Sequence, residues 1–358
     1  MKDTLKKLHK DRVLLGFSGG VDSTAAALLL RKAGYSVTGL FFDVHKEKSP
    51  NAELAEETAA QLGIPFIYRN VHEDFSREII DYFCREYEEG RTPNPCVLCN
   101  PTIKFPVLLE EADAIGAYHI ATGHYAGIHL EKESGLYYIQ QAENIKKDQS
   151  YMLYRLGQEV LSRLIFPLNQ VGDKAQTREI ARKEGAGNAD RKDSQEICFL
   201  PEDQNYIRFL EEKGCKTAKG NFIDEQGSVM GTHQGITHYT IGQRKGLGQT
   251  FGKPVYVTKV DHNNNTVTLG DNQDLFVSVI RSDNHAFVLP DGCSLNSLDG
   301  LEVEAKIRYT AKKAAGTLRI LENGIVETHF REKQRAATPG QSIVFYKDHI
   351  VLGGGIIL

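Results

Sequence analysis

A chain of 358 residues is long enough for two or three domains, and its 41% hydrophobic and 25% charged content is ordinary for a globular protein. A formal net charge of −4 excludes indiscriminate coating of nucleic acid but leaves room for a local basic face. Six cysteines are too sparse for a disulfide scaffold, and no apolar run nears the about 20 residues of a membrane helix. The basic N-terminal stretch carries an acidic third residue and leads into no signal-like apolar core, so a cytoplasmic protein with no membrane attachment is expected.

In chain order, "RVLLGF" (12–17) reads as a buried strand and "STAAALLLRKAG" (23–34) as a helix stopped by Gly34. "YSVTGLFFDV" (35–44) is a strand, "AELAEETAAQLG" (52–63) a helix, and "IPFIYRNV" (64–71) a strand. "SREIIDYFCREYEEG" (76–90) is a helix, "KFPVLLEEADAIGA" (104–117) a helix with a first turn disturbed by Pro106, and "YHIATGHY" (118–125) a short strand. This alternation predicts a doubly wound α/β parallel sheet, with ligands at the C-terminal strand ends. After a helix at 205–214, short β-like runs separated by Gly, Asn and Asp take over, with hairpins expected at 260–270 and 320–330. The expected division is a catalytic domain over 1–202, a mixed α/β linker domain over 203–274 and an all-β, barrel-like domain over 275–358.

"GFSGGVDSTAAALLL" (16–30) carries the strongest chemical signal. A strand runs through a Ser-Gly-Gly-Val-Asp-Ser turn straight into a helix. Glycines let backbone N–H groups approach a ligand, and the helix N-terminus favours an anion. The lysine of a Walker A loop is missing, and G-x-G-x-x-G is not matched. Asp22 beside bound phosphate requires a cation between them, which implies Mg2+. The bland alternative is a capped helix behind a tight turn.

"TPNPCVLCN" (92–100) sets Cys96 and Cys99 three residues apart. A buried pair, a disulfide, a zinc half-site, a nucleophile with a helper and part of an iron–sulfur site all fit such a spacing. The zinc reading is weakest, because no second C-x-x-C or His pair completes a tetrahedral site. Asn100-Pro101 reads as a helix N-cap and first position, which would put Cys99 just before a helix N-terminus with a lowered pKa. Cys198 follows the polar run "RKDSQE", at the edge of a solvated segment. Cys84, Cys215 and Cys293 read as inert small hydrophobes.

"SGGVDS" resembles the pyrophosphatase loop (PP-loop) of enzymes that adenylate a carbonyl oxygen. Together with "GRTPNPCVLCNPTIKF", "ATGHYAG", "KKDQSYMLYRL", "RKDSQEICFL", "HYTIGQRKGLG", "IRYTAKK" and "TPGQSIVFY", it resembles the tRNA-specific 2-thiouridylase family over nearly the whole chain. The resemblance implies ATP-dependent 2-thiolation of the wobble uridine. Cys99 would be the nucleophile and Cys198 the persulfide carrier, leaving a Cys99–Cys198 disulfide to be reduced. Where the best-described members carry Asp, this chain has Cys96. That departure keeps open a [4Fe-4S] cluster held by Cys96, Cys99 and Cys198 as the sulfur carrier.

By the same resemblance, Gly16, Phe17, Ser18, Gly19, Gly20, Val21, Asp22 and Ser23 bind ATP, with Phe42 and Gly123 around the nucleotide. Phe42 alone reads equally well as strand core. Asn94, Pro95 and Cys96 are implied to shape the pocket for an extruded base. His124, Lys147, Asp148, Gln149, Arg308, Tyr309 and Gln341 are implied to meet tRNA; taken singly, His124 reads as structural and 147–149 as an exposed turn. Arg244, Lys245, Arg308, Lys312, Lys313, Arg331, Lys333 and Arg335 suggest a phosphate-contacting arm in the β-rich half. Expected partners are tRNA and a persulfide donor protein (a sulfur relay or a cysteine desulfurase), with the chain a monomer or weak dimer. The competing readings are a PP-loop amidotransferase-like ligase and a non-catalytic RNA-binding protein. Neither accounts for the cysteines, the loop and the β tail together.

Overall fold

The computed structural model describes residues 8–183, 197–200, 204–215 and 218–358. The chain divides into two units: Met1–Glu78, Cys96–Phe199 and His349–Leu352 form the first, and Ile79–Pro95, Leu200–Asp348 and Gly353–Leu358 the second.

The first unit is built on a five-stranded parallel sheet. In chain order its opening elements are β1 (His9–Gly16), α1 (Val21–Lys32), β2 (Ser36–Asp43), α2 (Pro50–Leu62) and β3 (Phe66–Asn70). Next come α3 (His72–Phe75), a π-turn (Ser76–Ile80) and α4 (Asp81–Glu88), the last within the second unit. A helical run follows: α5 (Pro95–Cys99), a π-turn (Asn100–Lys104) and α6 (Phe105–Ile115). Then β4 (Ala117–Thr122), β5 (Ala126–Leu130), β6 (Tyr137–Gln141), α7 (Gln158–Leu161), β7 (Leu164–Ile165) and α8 (Lys174–Lys183) complete it.

The parallel sheet runs β3-β2-β1-β4-β7. The chain therefore winds outward from β1 through β2 to β3, then returns to the other side of β1. That reversal is a topological switch point, where open parallel sheets bind ligands. Gly16 at the end of β1 pairs with Leu40 on one side and Thr122 on the other. Val13, Leu14 and Leu15 are fully buried in the sheet centre, as a parallel strand covered on both faces must be. In α1, Ala25, Ala26 and Ala27 are also fully buried. Small side chains let this helix lie close to the sheet while it also packs against α8. β5 and β6 form an antiparallel hairpin, and Gln140 on β6 pairs with Ile350.

The second unit continues with α9 (Tyr206–Glu212), β8 (Gly220–Ile223), β9 (Val229–His233), β10 (Tyr256–Asp261) and β11 (Thr266–Gly270). These strands form a sheet in the order β10-β11-β8-β9 around Phe222, Val257, Val267 and Leu269. Then follow β12 (Phe276–Phe287), β13 (Glu302–Lys306), β14 (Ala314–Ile320), β15 (Val326–Arg335), β16 (Ser342–Lys347) and β17 (Ile350–Ile357). They run in the order β12-β15-β14-β13-β16-β17, and β12 pairs again with β17 to close a six-stranded antiparallel barrel. Both expected hairpins are present, as β10–β11 and β14–β15.

No helix among the described residues is long and apolar enough to cross a membrane.

Candidate active site

The loop after β1 is shaped for close approach. Gly19 has φ +67°, and a Cβ there would lie 2.7 Å from Ala55 Cα on α2. Helix α1 starts at Gly20 with no side-chain cap, so its first amides point outward without that common partner. Phe17 and Val21 are buried core residues, 1% and 4% exposed, and can offer a ligand only their backbone. Ser18 Oγ accepts from Gly20 N at 3.3 Å, and Ser23 Oγ donates to the Gly20 carbonyl at 3.0 Å. Gly123, after β4, abuts the same helix start: a Cβ on it would lie 3.1 Å from Ser23 N. Phe42 is near too, its Cε2 being 3.4 Å from where a Cβ on Gly16 would sit. The expected phosphate-loop residues, Phe42 and Gly123 are thus gathered at one end of the sheet.

Asp22 differs from expectation. Its carboxylate is held by an ammonium of the protein itself: Lys174 Nζ lies 2.8 Å from Oδ1 and 2.7 Å from Oδ2. The Tyr125 hydroxyl also donates to Oδ1, at 2.8 Å, and lies 2.8 Å from Thr177 Oγ1. Lys174, Tyr125 and Thr177 were not anticipated. A signal was present for Lys174, the first residue of α8. A cation at a helix N-terminus opposes the dipole and calls for an anion nearby.

The cysteine turn is also built otherwise than expected. The helix begins at Pro95, not after Cys99, so Cys96 and Cys99 both lie within α5. Asn100 is no N-cap: it opens the π-turn, its Nδ2 donates to the Met152 carbonyl at 2.9 Å, and its buried Oδ1 has no partner. The wider π-turn carries the helix past Pro101 and Pro106, which lack the N–H that α-helical bonding needs. Burial raises the Cys99 pKa, reversing the expected direction, and Cys96 raises it further. The Lys104 charge and backbone N–H oppose that rise. Cys198 keeps exposed surface, yet the protein around it pushes its thiol up to about 12, with added contributions from Cys96 and Cys99 and opposition from Lys104. The three thiols and Lys104 are therefore within electrostatic reach of one another. Lys104 was missed because a lysine opening a helix-like run reads as solvated surface.

His124 follows β4 and lies between Phe105 and Phe166, with ring centroids 6.5 and 6.4 Å away. Its Nδ1 is 2.8 Å from Thr122 Oγ1. Burial, with Lys104 adding, pulls its pKa down to about 3, so the ring is neutral near pH 7. The 147–149 segment is not a plain exposed turn. Asp148 is 3% exposed, and its carboxylate accepts from Gln141 Nε2, Ala142 N and both Ser150 N and Oγ. Gln149 Oε1 accepts from Tyr125 N at 3.0 Å. These two side chains shape the loop from inside.

In the second unit, Gln341 Nε2 donates to the Thr92 carbonyl at 2.8 Å, and Thr92 N donates to the Pro339 carbonyl at 2.8 Å. The segment leading to Asn94 and Pro95 is thereby tied to the barrel. Arg308 and Tyr309 follow β13 and are half-buried, with Arg308 Nη1 at 3.4 Å from the Arg335 carbonyl. Lys313 pairs with Glu304, Arg331 with Glu302, and Arg335 Nε donates to Asn272. Arg244, Lys245, Lys312 and Lys333 are exposed. The Cys84 and Cys215 thiols are hydrogen-bonded to each other, and burial pushes Cys84 up to about 12.

Three family models match in order: the tRNA methyl transferase HUP domain over residues 11–202, the tRNA methyl transferase PRC-barrel domain over 207–271, and the aminomethyltransferase beta-barrel domain over 293–357. A tRNA-specific 2-thiouridylase MnmA of Clostridium perfringens is 44% identical over 364 residues, 98% of this chain and 99% of that protein. The chain belongs to the tRNA-specific 2-thiouridylase family. A Clostridium botulinum member is 44% identical over 361 residues, covering 97% of this chain and 99% of its own length. One from Syntrophomonas wolfei is 45% identical over 346 residues, again with 97% and 99% coverage. The family models carry a methyl-transfer name, while these full-length relatives are named for thiolation.

Proposed function

We propose that this chain thiolates a uridine of tRNA at position 2, using ATP and a cysteine persulfide. The observation that carries the reading is the grouping of the Cys99 and Cys198 thiols within electrostatic reach, in the unit that also holds the phosphate loop. Methyl transfer and ammonia delivery give a thiol pair no role. In this reading the uridine O2 attacks the α-phosphate of ATP, and pyrophosphate leaves. A donor protein, relay or desulfurase, loads Cys198 as a persulfide. Cys99 attacks the inner sulfur, forming the Cys99–Cys198 disulfide and releasing hydrosulfide. Hydrosulfide adds at C2, AMP departs with the former O2, and an external reductant restores both thiols. Cys96 is within electrostatic reach of both sulfurs.

The loop fits a nucleotide: glycines clear the approach and the helix amides face outward. Mg2+ is commonly held by one or two carboxylates plus phosphates, so it would arrive with ATP and take Asp22. Among the described residues no group of three or more His, Cys, Asp or Glu side chains is arranged to hold a metal. Cys96, Cys99 and Cys198 as placed are not arranged as a cluster's ligands. For the RNA, Lys147, His124, Arg308, Tyr309 and the Asn94-Pro95 lead-in are the proposed contacts.

Single-turnover thiolation of tRNA by wild type, Cys99→Ser and Cys198→Ser tests the reading. Both variants should form less than about 1% of the wild-type 2-thiouridine while still releasing pyrophosphate. A Cys198→Ser enzyme that thiolates at the wild-type rate overturns it.

A further inference from the structure

We propose that Lys174 is the phosphate-binding cation of the nucleotide site, and that Asp22 holds its ammonium ready until the nucleotide arrives. The proposal deepens the ATP-dependent reading and rests on it. The loop lacks the lysine that a Walker A sequence would supply from its own helix. Another helix of the same unit supplies one. Lys174, the first residue of α8, reaches across to α1, where its Nζ bridges both oxygens of Asp22 at 2.8 and 2.7 Å.

Three features argue that the pair is more than a tie between helices. First, its place is the start of α1, where uncapped amides and the helix dipole already attract an anion. Two positive elements, the helix start and the Lys174 ammonium, converge on the Asp22 carboxylate there. A polyphosphate brings several negative charges and more acceptor oxygens to the same spot, so it can outcompete Asp22 for the ammonium. Second, the Lys174 side chain is 14% exposed while that of Asp22 is 35% exposed. The ammonium is backed by protein and reached through its partner, as a held ligand-binding group would be. Third, Tyr125 anchors the carboxylate from another side at 2.8 Å, and Tyr125 also meets Thr177 on α8. Asp22 is therefore fixed, and the flexible lysine stem is the part able to move.

The test must separate a phosphate contact from simple neutralisation of Asp22. Removing Lys174 alone leaves a bare carboxylate that repels ATP for a trivial reason. Equilibrium binding of ATP in EDTA, without Mg2+, should therefore compare wild type, Asp22→Asn, Asp22→Asn/Lys174→Met and Asp22→Asn/Lys174→Arg. Circular dichroism melts check that each is folded, and the arginine variant keeps the charge if methionine fails to fold. The double methionine variant should bind ATP about tenfold or more weakly than Asp22→Asn, the loss expected for a charge-assisted contact. The arginine variant should recover most of that loss. Equal dissociation constants for Asp22→Asn and its methionine partner overturn the role of Lys174 and leave the ATP reading standing. Failure of the wild type itself to bind ATP overturns both.

Discussion

Cys99 and Cys198 are held as thiols rather than thiolates. Burial raises both pKa values, and Lys104 offsets only part of the rise. Below its pKa a thiol gains thiolate about tenfold per pH unit. Alkylation of both cysteines by iodoacetamide should therefore climb from pH 7 to pH 9 without levelling. A plateau by pH 8 would contradict the burial argument. Lys104→Ala removes the opposing positive charge, so alkylation at pH 8 should slow in that variant. The same neighbours keep His124 neutral, because a proton there would sit buried beside an ammonium. Asp148 shows how a residue's type alone misleads. In a run of "KKDQS" it reads as exposed, yet its acceptors are spent on Gln141, Ala142 and Ser150.

The strand–loop–helix of β1 and α1 depends on a glycine that nothing else can replace. Gly19→Ala puts a side chain at φ +67° and drives its Cβ to 2.7 Å from the Ala55 backbone. The conformational cost alone is about 1–2 kcal/mol. The melting temperature should drop by roughly 2–8 °C, and ATP binding should weaken with it. An unchanged melting curve would show that α2 yields freely. This loop was legible in the sequence because glycine, serine and aspartate between an apolar strand and an Ala-rich helix have few other uses. The parallel sheet was legible for a similar reason, since alternating strands and helices leave few topologies. The 95–115 helix was misread because two prolines look like helix starts, whereas the π-turn lets the helix run through them. β5, β6 and β7 were not anticipated. β7 is two residues long, and the hairpin's "AGIHL" and "YYIQQ" are too short to show a clear period. Lys174 escaped notice because its partner is 152 positions away.

The formal charge of −4 is unevenly used. Of the basic residues expected to form an RNA arm in the second unit, Lys313, Arg331 and Arg335 are engaged within the fold. Arg308 is half-buried and remains a proposed contact, while Arg244, Lys245, Lys312 and Lys333 are exposed and can meet phosphates as well. tRNA affinity should fall steeply between about 50 and 200 mM salt. Replacing these four residues with Ala should flatten the log–log salt slope by about one unit for each phosphate no longer neutralised. An affinity independent of salt would remove the arm from the argument. The closed barrel that presents Lys312 and Lys333 has no open edge, because β12 pairs with β17. These lysines can therefore stay exposed without the barrel offering an unpaired strand to other chains.

The π-turn at 100–104 has a consequence for chain length. It places one extra residue between the cysteine turn and the rest of the helix, and each residue of a helix adds about 100° of rotation. Deleting Thr102, an exposed residue, would let ordinary α-helical bonding resume. The two thiols would then swing about 100° around the axis, away from Cys198, with composition almost untouched. Such a deletion should retain helical circular dichroism and lose thiolation more than about a hundredfold. Normal thiolation would show that the count of residues here is free to vary. The positions of the Cys96 and Cys99 thiols are thus specified by how many residues precede α6 as well as by which residues they are.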